Sequence, residues 1–196
     1  VSCGAATLSV DVSSFTCSEV GANNVTLTVT DASLNTSTCT AVVTVMDTIS
    51  PTVACQNVTV YLDGAGNASI IAADVDAGSS DNCGAPTMSI DVSSFTCNEV
   101  GANNVTLTAT DANSNTSTCV AVVTVMDTIS PIVVCQNINA YLDGTGNVTI
   151  SAADVDGGST ASCGVPTMSI DVSSFTCSDV GVNNVTLTAT DASSNT

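Results

Sequence analysis

Apolar and polar residues alternate with a period of two over short runs, and the runs return in the same order along the chain. Val58, Val60 and Leu62 are interleaved with Thr59 and Tyr61, and Val105, Leu107 and Ala109 with Thr106, Thr108 and Thr110. Successive side chains on a strand point to opposite faces, so this alternation predicts half-buried β-strands. Cys55 opens a first strand that runs through Leu62, and Asp63-Gly64-Ala65-Gly66-Asn67 has the composition of a hairpin-type turn. Ala68, Ile70 and Ala72 supply the next inward face, and Met88, Ile90 and Val92 mark a further strand. Phe95 and Cys97 lead into the turn Asn98-Glu99-Val100-Gly101. The strand through Ala109 ends at the loop Asp111-Ala112-Asn113-Ser114-Asn115, and a last strand runs from Cys119 to Met126. The longest stretch without strand character, from Asp74 to Gly84, is acidic and contains glycine, a place where function is commonly carried. No helical period is found.

The same words, DVSSFTC, open at Asp11, Asp91 and Asp171, an offset of 80 residues each time (91 − 11 and 171 − 91). That period is longer than a solenoid repeat and predicts tandem copies of a small domain. Residues 1–47 form the C-terminal part of one repeat, 48–127 a complete repeat, and 128–196 the N-terminal part of a third whose last strand is missing. A stretch of a longer array is expected. Asp47-Thr48-Ile49-Ser50-Pro51 is a short linker whose proline breaks the preceding strand. Six or seven short strands per repeat predict an all-β fold, tandem immunoglobulin-like β-sandwiches that form a rod or fibre. A strand of about seven residues spans roughly 23 Å, so a string of such domains would be a rod one sandwich wide.

At this point the motifs themselves carry a likeness. Pro51 followed by Cys55, Asp81-Asn82-Cys83-Gly84, the run from Val105 to Asp111, then Asn115, Cys119, a valine-rich strand and a terminal Asp-Thr together resemble the hyalin repeat family. The likeness covers the complete copy and both partial ones. It implies immunoglobulin-like domains in tandem in extracellular, adhesion-related proteins, and it informs architecture more than activity. One departure stands out: Asp81-Asn82 is replaced by Val1-Ser2 in the first copy and Ala161-Ser162 in the third.

Charge narrows the range of partners. The chain has no Lys, Arg or His and 18 acids, a formal net charge of −18. Nothing in it can clamp a phosphate or shuttle a proton near neutral pH, so nucleic acid and membrane insertion are excluded as expectations. Self-repulsion on that scale calls for cations; a merely acidic, solvated surface is the plainer alternative. Ten cysteines with only 3% aromatic residues point to an oxidising, extracellular compartment, secreted or at the cell surface. No signal peptide and no apolar span of membrane length is recognisable.

Four cysteines recur per repeat: Cys55, Cys83, Cys97 and Cys119 in the complete copy, Cys135, Cys163 and Cys177 in the next, and Cys3, Cys17 and Cys39 in the one before. With no CxxC pair and no His, disulfides are expected over zinc. In a sandwich the first and last strands begin at the same pole, which pairs Cys55 with Cys119. Cys83 then pairs with Cys97, Cys163 with Cys177 and Cys3 with Cys17, leaving Cys39 and Cys135 to partners outside this sequence. The rival arrangement joins Cys39 to Cys55 and Cys119 to Cys135.

Of the 18 acids, 17 recur in register, and Asp81 alone has no counterpart. End-to-end sandwiches would place the linker acid Asp127 between Asp63 and Glu99 of one domain and Asp154, Asp156 and Asp191 of the next. By the same logic Asp47, Asp74, Asp76, Asp111 and Asp143 belong to junctions. Carboxylates gathered with Asn and backbone oxygens, free of basic residues, are the hard ligands calcium takes, so calcium at each junction is expected as the cofactor. No EF-hand spacing is present, and Asx-turn preference alone would also put acids in these loops.

Sequons at Asn24, Asn35, Asn57, Asn67, Asn104, Asn115, Asn147 and Asn184, and Asp-Thr-Ile at Asp47 and Asp127, are possible glycan attachment points. The Thr106, Thr108, Thr110 row reads as the solvent face of a strand. A catalytic pair repeated in every copy, without a cleft-building insertion, is implausible, so no enzyme is expected. The expectation is a structural protein of an extracellular filament or adhesin stalk, with neighbouring repeats or copies of itself as partners. The alternative is a multivalent module binding cell-surface carbohydrate or a protein receptor, and a third arrangement is strand exchange between chains.

Overall fold

The computed structural model describes residues 4–196, and these described residues are all-β apart from two single α-helical turns and three 3-10 turns. In order the elements are β1 (Thr7–Val10), β2 (Gly21–Thr30), β3 (Thr36–Val45), β4 (Val58–Tyr61), β5 (Asn67–Ser69), α1 (Ala72–Val75), β6 (Thr87–Ile90), β7 (Ser94–Thr96), β8 (Gly101–Thr110), β9 (Thr116–Met126), β10 (Asn147–Thr149), α2 (Ala152–Val155), β11 (Thr167–Ile170), β12 (Ser174–Thr176) and β13 (Leu187–Thr190). Among the described residues no helix is long and apolar enough to cross a membrane.

The chain divides into two compact units, each gathering segments from more than one sequence repeat. One comprises Val1–Cys55, Asp76–Ser89 and Leu107–Cys119. Its antiparallel sheet has the order β1-β2-β3, in register from Gly21 opposite Val45 to Thr30 opposite Thr36. Single bridges pair Thr52 with Ser80 and Cys55 with Asp76.

The other unit comprises Gln56–Val75, Ile90–Thr106 and Val120–Thr196. Here β4 runs parallel to the end of β9, Val58 opposite Val123, and β5 is antiparallel to β7. The third copy repeats this with β10 against β12 and β11 against β13. Residues 138–141, one repeat after β4, are not a strand.

The complete copy's four-stranded sheet has the order β4-β9-β8-β6. Alternation decides what is buried: Val105, Leu107 and Ala109 on β8 and Ala121, Val123 and Val125 on β9 are buried while the threonines between them are not. Leu62, Ile70, Val75 and Phe95 are buried as well.

Three local expectations are corrected. The turn at Asp63 forms, with Gly66 at φ +76°, but it is no hairpin, because β4 and β5 go to different sheets. The stretch through Met88, Ile90 and Val92 stops at Ile90, where Asp91 Oδ1 accepts the Thr106 N–H at 2.8 Å and the chain turns toward β7. Asp74 to Gly84 starts inside a helical turn: the Asp74 carboxylate accepts the Ile71 N–H at 2.7 Å and Val75 is fully buried. Four residues are too few to show a helical period.

Disulfides join Cys17 to Cys83, Cys55 to Cys119 and Cys97 to Cys163, with Cα separations of 5.2, 6.0 and 5.4 Å, all within the usual span. Cys55–Cys119 is the pair anticipated from strand order. Cys83–Cys97 and Cys163–Cys177 do not form; Cys83, Cys97 and Cys163 bond instead across to the neighbouring repeat copy, at a constant separation of 66 residues. The 3-10 turn that starts at Cys97 lies against the residue 162–163 loop, which the sequence within one copy does not encode. Cys17 is therefore also not bonded to Cys3, which lies outside the described residues. Cys39, Cys135 and Cys177 are free and exposed, so the rival Cys39–Cys55 and Cys119–Cys135 pairs are absent.

Candidate metal centre

Most of the acids are engaged within their own turns. Asp63 Oδ1 accepts the N–H groups of Ala65 and Asn67, both at 2.9 Å, and Asp143 does the same with Thr145 and Asn147. Glu19, Glu99 and Asp179 close capping boxes with Thr16, Thr96 and Thr176. The Thr16 and Ser18 hydroxyls, then the Thr16 N–H, hold the Glu19 carboxyl down at about 2. Asp154 accepts the Ser151 N–H at 2.7 Å, as Asp74 does with Ile71. Asp76 and Asp156 accept Ser79 and Ser159 through hydroxyl and N–H. Of the predicted junction acids, then, Asp63, Asp74, Asp76, Glu99, Asp143, Asp154 and Asp156 do turn and cap work, and no group of three forms from them.

Among the described residues one acidic trio is brought within ligand distance: Asp47, Asp81 and Asp111 each offer a carboxylate oxygen, all within 4.8 Å of one another. Three different pieces of local structure deliver them. Asp111 ends β8, and its loop to β9 folds around its carboxylate. Oδ1 accepts the N–H groups of Asn113 and Asn115, each at 2.8 Å, and Oδ2 accepts Asn115 Nδ2 at 2.7 Å. Ser114 completes the turn at φ +71°. Burial pushes the Asp111 carboxyl up, but the bonds from Asn115 and Asn113 outweigh it and leave it below its ordinary value.

Asp47 lies in the linker, its Oδ1 accepting the Ile49 N–H at 3.1 Å. Asn115 Nδ2 also donates to the Asp47 carbonyl oxygen at 3.1 Å, so one amide ties the linker to the β8–β9 loop. Asp81 sits in the loop before Cys83, whose N–H donates to Oδ2 at 2.8 Å. Its Oδ1 is buried with no hydrogen-bond partner.

A calcium ion takes oxygen ligands at about 2.3–2.6 Å, so oxygens on opposite sides of it lie about 5 Å apart, which the trio satisfies. The donor set is all oxygen, it carries three negative charges, and the chain has no basic residue to neutralise them. An orphaned carboxylate oxygen at Asp81 is the feature a cation would resolve.

Asp47 and Asp111 were legible as junction acids. Asp81 was not, because it is the one acid that does not recur in register, and only its place in Asp-Asn-Cys-Gly marks it in the sequence. The other two predicted acids, Asp127 and Asp191, are brought together through Asn195, whose Nδ2 donates to the Asp127 carbonyl oxygen at 3.2 Å and to Asp191 Oδ2 at 2.8 Å. No family model matches the chain, and none of the curated proteins matches it.

Proposed function

We propose that the chain is part of the structural protein of an extracellular filament or adhesin stalk, made of tandem immunoglobulin-like repeats of hyalin type. The observation that supports this most is the pair of disulfides Cys17–Cys83 and Cys97–Cys163, each tying one repeat copy to the next at the same offset. Covalent ties between successive copies suit a protein that transmits tension, and three intramolecular disulfides fit an oxidising compartment. Calcium held by Asp47, Asp81 and Asp111 would neutralise the junction and fasten the linker to the loops after β8 and before Cys83. Electron microscopy of the purified chain is expected to show straight rods, and calorimetry a melting temperature that rises with calcium and falls on chelation. Flexible beads with a melting curve indifferent to chelator would sink this reading. Specific capture on a glycan array would favour the multivalent adhesin module instead.

A further inference from the structure

One copy after Asp47, Asp81 and Asp111 stand Asp127, Ala161 and Asp191 (each number plus 80). The scaffold is reproduced. Asn195 ties Asp191 to the Asp127 carbonyl as Asn115 ties Asp111 to that of Asp47, and the N–H groups of Ser193 and Asn195 donate to Asp191 Oδ1 at 2.9 and 2.8 Å. Asp127 and Asp191 are more deeply buried than most acids of the chain, at 6% and 7% exposure. Asp127 Oδ1 accepts the Ile129 N–H at 3.1 Å and the Ser162 hydroxyl at 3.4 Å, but Oδ2 is buried without any partner. A buried carboxylate oxygen with no donor is costly, and the chain offers no Lys, Arg or His to answer it. Among the carboxylates the difference from the first group is one side chain, a methyl at Ala161 in place of the carboxylate of Asp81, and beside it Ser162 stands where the first group has Asn82.

We propose that Asp127 and Asp191 form a second calcium site, weaker than the Asp47–Asp81–Asp111 site, and that the residue at positions 81 and 161 sets the affinity of each. The proposal rests on the calcium reading given above. Calcium affinity follows the number of charged ligands and the rigidity of the site, so two carboxylates, the Ser162 hydroxyl and water in place of three carboxylates cost about tenfold or more in affinity. Successive linkers in one chain are then unlike: at intermediate calcium the first is occupied and the second is not.

The test is isothermal titration of the full chain with calcium chloride at about 150 mM salt, where diffuse attraction to the acidic surface is screened. Two classes of site, about tenfold or more apart, are expected. Asp81→Ala should convert the tight class into the weak one, and Asp127→Asn should remove the weak class and keep the tight one. Ala161→Asp should bring the second site up to the affinity of the first, a gain that misfolding cannot imitate; circular dichroism checks the other two variants. No binding by the natural sequence overturns the calcium reading and this inference together. One tight site that Asp127→Asn and Ala161→Asp both leave unchanged overturns this inference alone.

Discussion

Replacing Cys97 and Cys163 together by serine removes the covalent tie inside the second compact unit and leaves the other two disulfides in place. The loop it closes is 66 residues long, for which the chain-entropy relation gives about 4 kcal/mol. At about 4–8 °C per kcal/mol for a unit of this size, the melting temperature should fall by about 15–30 °C. The pairing, and not only the cost, can be read from a double-mutant cycle. If Cys97 is bonded to Cys163, then Cys97→Ser, Cys163→Ser and the double variant cost nearly the same, whereas Cys83→Ser and Cys97→Ser add, since they break different bonds. Digestion after Asp and Glu without reduction supplies the direct assay, because an acid lies between each pair of neighbouring cysteines from Cys83 to Cys177. It should recover Cys97 linked to Cys163, with Cys39, Cys135 and Cys177 open to alkylation. Recovery of Cys83 linked to Cys97, or non-additivity between those two positions, would refute the cross-copy arrangement.

Two further outcomes test the local physics. A Cβ at Gly66 would stand 2.6 Å from Cys97 Sγ at a φ of +76°, so Gly66→Ala should cost about 2–3 kcal/mol in denaturant unfolding, while Gly64→Ala, which meets nothing within 4 Å, should be near neutral. Acid should destabilise the fold despite relieving charge repulsion. The hydroxyl and N–H donors around Glu19, and the Thr106 N–H on Asp91, hold those carboxyls below their ordinary values. A depressed folded value contributes stability present above the unfolded value of about 4 and lost as pH falls through the folded one, which for Glu19 is about 2. Melting temperature should therefore drop between about pH 4.5 and 2, and less steeply in Glu19→Gln; a rise on acidification would mean that repulsion among the 18 acids dominates.

How much of this could be read in advance depends on the range of the interaction. The strands β8 and β9 were legible because alternation along ten residues records which face is buried, and their buried and half-exposed positions follow Val105 to Ala109 as expected. The turn at Asp111 was legible for a similar reason, since Asp and Asn bond their own neighbouring backbone. Partner choice over longer distance was not. A pairing of Cys83 with Cys97 and one of Cys17 with Cys83 obey the same 80-residue period, and only the approach of the 3-10 turn to a loop 66 residues later separates them. The parting of β4 and β5 was hidden for the same reason, because the turn chemistry between them says nothing about which sheet each strand enters.

Pulled from its ends, an ordinary folded chain yields its whole backbone length, but here the disulfides shorten the circuit. From Cys17 a bond leads at once to Cys83, fourteen residues of backbone lead to Cys97 (97 − 83), and a second bond leads to Cys163. The 146 residues between Cys17 and Cys163 (163 − 17) could extend by roughly 500 Å if reduced, yet the oxidised path offers roughly 50 Å at full stretch. Nor does one backbone cut release a fragment, since the loops 17–83, 55–119 and 97–163 overlap and every peptide bond from Cys17 to Cys163 lies inside at least one of them. Oxidised, this stretch is a nearly inextensible cable that tolerates nicks, and reduction would turn it into a spring.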